Sequence, residues 1–309
     1  MDIYSQLEYL RQKSKSYNKI IIAMVVIFFL TCTAIPMIMI VVINKKGEDM
    51  DAAVAGLLPV IASLSCIIFM VVLMVAACKK GKYNKEFQSL YKDNFLVGLL
   101  RQQFPDVQYN WQEGFNRDAV AAVGLVQMGN RYYSEDFVCG TYDGVFFEQS
   151  DVTIKNVVRS GKHTHTYTYF KGRMFTFNYD MKDISSTLIF SRDFGYKGRG
   201  FKCPYEDVKV ESIDFNKLFK IQSARAVDAF YILTPHMMEC IYNLERYLGN
   251  VALHFTPGKV HVAFNSSTNA FNANIDQPLD FNMETQKRMQ EMQIIIDIIR
   301  ALKISDQNR

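Results

Sequence analysis

The chain has 309 residues, a formal net charge of +4, six cysteines and a 49% hydrophobic composition. Residues 1–85 carry ten Lys/Arg against five Asp/Glu, which leaves 25 basic and 26 acidic residues for 86–309. A nucleic-acid domain concentrates positive charge on its folded part, so this near balance excludes that class and no nucleic-acid partner is expected; likewise Cys32, Cys66, Cys78, Cys139, Cys203 and Cys240 contain no C-x-x-C pair, which argues against a zinc site or a disulfide framework.

Residues 1–19 read as an N-terminal cytoplasmic segment. Ile3, Leu7 and Leu10 stand at helical spacing there, which suits either a short interfacial helix or the start of the first span. Two apolar runs follow, at 20–43 and 52–78, joined by an external loop at 44–51. From Ile20 to Ile43 and from Ala52 to Ala77 there is no charged residue. A helix needs about 20 residues to cross about 30 Å of hydrocarbon, so the pattern predicts a transmembrane helical hairpin. Arg11, Lys13, Lys15 and Lys19 precede it and Lys79, Lys80, Lys82 and Lys85 follow it. The loop balances Lys45 and Lys46 with Glu48, Asp49 and Asp51. Basic flanks stay inside, which predicts a cell-membrane protein with two spans, both termini cytoplasmic, and the lipid bilayer as its first partner. The first run is too long for a signal peptide and lacks a small-residue cleavage site. Within the spans, Ala52 and Gly56, and Ala62 and Cys66, sit four apart, as close helix packing favours. The spans hold no Asp, Glu, Lys, Arg or His, which argues against an ion pathway through one hairpin.

The cytoplasmic part is expected at 79–309. Phe87, Tyr91, Phe95 and Leu99 recur every four residues and predict a helix over 83–104, stopped by Pro105. Asn116 caps a short helix over Arg117–Val126. A strand-rich region covers 137–265. Phe137–Tyr142 and Val145–Glu148 flank Asp143-Gly144, a hairpin signal. Glu135-Asp136 reads as a turn before the first of these strands. Val152–Val158 and Thr166–Tyr169 flank Ser160-Gly161, and Met174–Tyr179, Thr187–Phe190, Val208–Ile213, Phe219–Gln222 and Ala229–Leu233 read as further strands. Thr234-Pro235 opens a helix that Gly249 closes. Val251–Phe255 and Val260–Phe264 form a hairpin around Pro257-Gly258, and a C-terminal helix runs over 284–303. The expected fold class is α+β: an N-terminal two-helix transmembrane hairpin, then a cytoplasmic domain with a mainly antiparallel sheet and flanking helices.

Several separated segments carry a resemblance. Glu211–Lys220, Ala229–Met238, Phe170–Arg173, the Glu135-Asp136-Phe137 step and Gly140–Gly144 resemble, in the same order, the bacterial family of unknown function DUF3137, over about residues 80–304. The resemblance implies a membrane-anchored protein with no established reaction and supplies no catalytic residues. The motifs themselves read structurally, with Phe215 and Phe219 as core anchors and Gly172 as a bend or bulge.

His163 and His165 share one face of an extended chain and are the candidate metal ligands. A site needs three or four ligands, so the plainer reading is a polar hairpin tip and no metal is assigned. Gly195–Gly200 is a basic glycine-rich loop without a P-loop ending. Lys197, Arg199 and Lys202 are its candidates for an anion or lipid headgroup, against a plain connection. Met289, Met292, Ile296 and Ile299 form an apolar stripe that suits a partner groove or the protein's own sheet. His236 reads as solvent-facing, and His254 and His261 as a cross-strand contact. There is no Gly-x-Ser-x-Gly and no His-Glu-x-x-His, so no catalytic residue and no cofactor is assigned. The expected function is binding of a protein partner or ligand by the cytoplasmic domain. The alternatives are a membrane-tethered enzyme such as a hydrolase, and an oligomeric transport component.

Overall fold

A computed structural model describes residues 2–46, 52–195 and 205–307. The chain divides into two compact units, one of residues 1–95 with 273–281 and one of 96–272 with 282–309.

The first unit is a pair of long helices, α1 (Ile3–Lys46) and α2 (Ala52–Leu90). The N-terminal segment is the opening of α1, not a separate element. Ser14 donates to Asn84 at 2.6 Å, Lys80 donates to Asn18 at 2.7 Å, Tyr17 stacks on Tyr83, and Phe28 stacks on Phe69 at 4.6 Å. Partners fall along α2 as they rise along α1, so the two run antiparallel. Outside that seam Phe29, Leu30, Ile67, Met70 and Met74 are exposed. An apolar surface of this kind is unstable in water and suits lipid, and both helices are long and apolar enough to cross a bilayer. The 273–281 segment joins this unit. Gln88 exchanges two hydrogen bonds with the backbone of Ala273, and the Phe281 ring lies between those of Tyr4 and Phe95.

The helix expected over 83–104 is not free-standing. It continues α2 through a π-helical turn (Tyr91–Leu96) into α3 (Val97–Gln103). Phe104 then turns extended, with its N–H on the Leu100 carbonyl at 2.7 Å, because the residue before Pro105 is pushed out of helical geometry.

Among the described residues the second unit is built on a nine-stranded sheet. Its strands are β1 (Gln108–Asn110), β2 (Arg131–Tyr142), β3 (Val145–Ser160), β4 (His163–Asn178), β5 (Thr187–Ser191), β6 (Glu206–Val208), β7 (Phe219–Ser223), β8 (Val251–Thr256) and β9 (Lys259–Asn265). Every pairing is antiparallel, in the order β1-β2-β3-β4-β9-β8-β5-β7-β6. The helices are α4 (Arg117–Val123), α5 (Ile213–Leu218), α6 (Ala226–Ile232), α7 (Pro235–Leu248) and α8 (Phe281–Gln307). This is the expected α+β class with an antiparallel sheet.

Particular elements differ from the sequence reading. β2 begins at Arg131, so Glu135-Asp136 is no turn. The register jumps from Glu135↔Asp151 to Val138↔Gln149, and Asp136 takes a φ of 60° inside the resulting bulge. The strand expected at Val208–Ile213 ends at Val208, because Ser212 caps α5 through the Phe215 N–H at 3.3 Å. Ala229–Leu233 is helical. Arg225 and Asp228 pair across the first turn of α6, and buried Ala229 and Ile232 face inward at helical spacing. α4 stops at Val123 because Gly124 adopts the left-handed conformation at φ 68°. The strand segments expected between 152 and 179 are parts of two 16-residue strands. Asn116 and Thr234 cap α4 and α7 as expected, and Phe215 and Phe219 are buried and stacked at 4.5 Å.

Both sheet faces are covered. On one face Val152, Ile154, Phe170, Met174, Ala252 and Ala263 pack with Val120, Leu125 and Val126 from α4 and the segment after it. The other carries Phe147, Phe175, Phe177, Val262 and Phe264, all buried, and α8 reaches it through Glu291.

Candidate functional site

Three places in the second unit bring chemistry-bearing side chains together. The first is a buried charged row. Pairing aligns Glu135, Asp151, Arg173 and Phe264 across β2, β3, β4 and β9. The Arg173 side chain is 3% exposed, pairs with Glu291 of α8, stands 3.8 Å from an Asp151 oxygen and lies over the Phe264 ring. Burial pushes the Asp151 carboxyl up to about 7; Arg173 pulls it back, and the charge of Asp136 adds to the rise. Asp151 also accepts the Ala270 N–H at 3.3 Å, Asn269 donates to Glu135 at 2.7 Å, and Tyr109 donates to Asp136 at 2.5 Å. Arg288 is fully buried, pairs with Glu284 at 2.8 Å, and donates to the carbonyls of Ala270 and Asn272. A buried arginine held this way costs stability if any partner is lost. The row works as a clamp that fixes α8 and the 269–272 segment against the sheet. Sequence reasoning treated Glu135-Asp136 as a turn and saw none of the others. Their meeting depends on the bulge, which sequence spacing does not reveal.

The second place is a row on the opposite face. Cys139, Glu148, Thr176, His261 and His254 stand side by side on β2, β3, β4, β9 and β8. The two histidines are a registered cross-strand pair, as expected, with rings 6.2 Å apart. His254 Nδ1 lies 2.6 Å from the Val123 carbonyl. A carbonyl only accepts, so Nδ1 carries the proton. His261 Nδ1 is 2.9 Å from the Thr176 hydroxyl. Burial lowers the pKa of both and takes His261 down to about 4, helped by the charges of His254 and Lys259. Burial and Glu148 push the Cys139 thiol up. A thiol held protonated is a poor nucleophile, so this row packs and does not activate a nucleophile.

The third place is the outer half of the β3–β4 hairpin. β9 pairs with β4 only over Gly172–Asn178, and β2 leaves β3 at Lys155. Beyond those points, among the described residues, the two strands pair only with each other, up to a turn where Gly161 takes φ 58°. Register slips between Ile154↔Phe170 and Lys155↔Thr168, which leaves Tyr169 as a bulge residue and turns the ribbon out of the sheet. Every residue from 158 to 168 is exposed. One face of the ribbon carries Lys155, Val157 and Arg159 opposite Thr168, Thr166 and Thr164. The other carries Asn156, Val158 and Ser160 opposite Tyr167, His165 and His163. From 152 to 179 there is no Asp or Glu. Arg131 stands directly opposite Lys155, and Arg131, Arg159, Asn130 and Val157 line a shallow depression. Asn130 holds that edge by donating to the Val157 carbonyl at 2.8 Å and accepting its N–H at 2.9 Å. Among the described residues Arg131, Lys155, Arg159 and Lys162 make no ion pair.

His163 and His165 therefore lie near the ribbon tip with rings 6.5 Å apart. Among the described residues no group of three or more His, Cys, Asp or Glu could hold a metal ion. His236 is partly buried, with Nε2 at 3.6 Å from Cys240 Sγ. Lys197, Arg199 and Lys202 lie outside the described residues. Of the apolar stripe, Met292, Ile296 and Ile299 are buried at 1%, 2% and 0% exposure, and Met289 is 39% exposed. Gly172 is no bulge: a Cβ there would stand 1.9 Å from the Phe264 carbonyl oxygen, so β9 runs too close for any side chain.

The family model described as protein of unknown function (DUF3137) matches residues 168–304. The match spans the inner half of β4 through most of α8 and includes Phe170–Arg173, Glu211–Lys220 and Ala229–Met238. It begins later than the resemblance drawn from sequence, and Gly140–Gly144 lies outside it. No curated protein matches the chain. The crystal structure of the mycobacterial trehalose monomycolate transport factor A, TtfA, is similar at 8% identity and a TM-score of 0.33, covering 63% of this chain and 88% of that one.

Proposed function

We propose that this chain is a membrane-anchored binding protein. α1 and α2 lie in the bilayer, both termini face the cytoplasm, and the sheet domain presents its β3–β4 ribbon to a binding partner. The exposed apolar flanks of α1 and α2 and the basic residues beyond them support the anchor and its orientation. The observation that carries the binding role is the ribbon itself. Eleven consecutive residues, 158–168, stand exposed beyond the sheet, on strands that need no such extension to close the core. Ordered, exposed backbone that adds nothing to packing is where binding residues concentrate.

The test is a shortened ribbon. Val157 and Thr166 are register partners, so residues 158–165 can be replaced by a two-residue Asn-Gly turn. Full-length wild-type and shortened proteins are purified in mild detergent, and co-purifying proteins, lipids and small molecules are identified by mass spectrometry. A stoichiometric companion held by the wild type and lost by the shortened form is expected. Identical companions in both preparations would overturn the proposal.

A further inference from the structure

We infer that the β3–β4 ribbon is a docking finger for an anionic lipid surface, a reading that rests on the binding role proposed above and names its occupant. Four observations carry it. Lys155, Arg159 and Lys162 lie in a stretch from 152 to 179 that holds no acid, while residues 86–309 as a whole are nearly balanced. Positive charge is thus gathered on one projecting element. Next, Arg131 faces Lys155 directly across the β2–β3 pairing. Like charges in that position destabilise a sheet, and a phosphate between them removes the penalty. The depression lined by Asn130, Arg131, Val157 and Arg159 gives such a phosphate a concave seat with two guanidinium groups, which bind phosphate with a fixed fork of donors. Thr164, Thr166 and Thr168 share that face and add hydroxyl donors. Finally, the other face is not basic. Val158 is 42% and Tyr167 39% exposed there, beside Asn156, Ser160, His163 and His165, whereas Tyr133, 59% exposed at the ribbon base, shares the face of Arg131 and Lys155.

A finger with a cationic, hydroxyl-rich side that also carries Tyr133, and a side without Lys or Arg on which Val158 and Tyr167 are exposed among polar residues, matches the boundary where anionic headgroups meet hydrocarbon, where tyrosine is enriched. A nucleic acid or an acidic protein surface would meet the charge but leave the exposed Val158, Tyr167 and Tyr133 unused. A chain already tethered to a bilayer also meets lipid at a high effective concentration, so a few basic residues suffice.

The experiment uses the full-length protein reconstituted in nanodiscs of phosphatidylcholine alone, or with phosphatidylglycerol added. Trypsin cleavage after Lys162 reports how exposed the tip is. Cleavage at least roughly five-fold slower in the anionic discs is expected, because each basic residue near an anionic surface contributes about that factor. The protection is expected to fade as salt is raised and to disappear in the Arg131→Gln/Lys155→Gln/Arg159→Gln variant, which keeps Lys162 as the cleavage site and whose melting temperature is compared with wild type to show that it folds. Equal cleavage in the two discs overturns the inference. So does protection by inorganic phosphate or by an added oligonucleotide with none from phosphatidylglycerol. In those outcomes the shortened-ribbon comparison decides separately whether the binding role stands: a companion still lost on shortening retains it, and unchanged companions remove it too.

Discussion

Asp151 shows how one residue sets a pH response. Its pKa in the fold is about 7, above the ordinary value of about 3.9 that the unfolded chain gives it. Between those values the folded state holds the extra proton. The contribution of this group to stability is therefore full below about pH 4 and is lost as pH rises through about 7. His261 works in the opposite direction. Its pKa falls to about 4 in the fold, so its contribution is present above about pH 6.5 and lost as pH falls. Melting curves of the Asp151→Asn variant across pH 4–8 are expected to lose the decline between about pH 4 and pH 7; an unchanged slope would show that Asp151 does not carry it. Gly172 makes a harder demand. Gly172→Ala forces a Cβ into the Phe264 carbonyl, and denaturant unfolding is expected to report a loss of more than about 2 kcal/mol, in the range of overpacked cores. A loss under about 0.5 kcal/mol, the size of an ordinary surface change, would mean that β9 can move aside. At this scale the sequence showed Gly172 as special without showing why. It hid the Arg173 clamp entirely, because residues 135, 151, 173 and 291 meet only after a bulge shifts the register.

At the scale of elements, periodicity succeeded where a segment was long and failed where it was short. α7 and α8 were legible from their spacing and from the Thr234-Pro235 start. α6, with seven residues, offers too few turns to separate a helix from an apolar strand, and α5 hid behind a strand-like Val208–Ile213. The stripe of α8 was legible as amphipathic, but its partner was not, and the fold settles most of it: Met292, Ile296 and Ile299 are interior. Ile299→Ala is expected to cost about 2–5 kcal/mol, and Met289→Ala to stay within about 0.5 kcal/mol, both read from denaturant midpoints. A large loss at Met289 with little at Ile299 would reverse the burial described.

Over the whole molecule, a domain-wide charge count hides local detail. The balance of residues 86–309 argued against a nucleic-acid domain, and it averages over the stretch 152–179, which holds no acid. Counting in a window as long as one hairpin exposes the asymmetry; counting per domain erases it. The two apolar helices and the α+β class were plain from composition and pattern, whereas the strand order was not, since nothing local places β9 beside β4. Protection should follow that order. In hydrogen exchange of the full-length protein in detergent, the amides of β8, β9 and Gly172–Asn178 are expected to exchange slowest and those of 158–167 fastest, because local opening tracks the number of flanking partners. Equal rates in the two regions would contradict a projecting ribbon.

The position of the β8–β9 hairpin has a consequence during synthesis. It is the last strand pair made, yet it lies between β4 and β5, which are made long before it. As the chain leaves the ribosome, β1–β4 can assemble as one group and β5–β7 as another, each with an open edge facing the place the hairpin will fill. Open edges invite pairing with other chains, and domains form progressively from the N-terminal side as they are translated. The protein therefore passes through an interval, ended only by the arrival of Val251–Asn265, in which it is two unfinished sheets awaiting a shared centre. A ribosome stalled before Val251 would release a product prone to join its neighbours, and chaperones would meet this chain at that stage of its making.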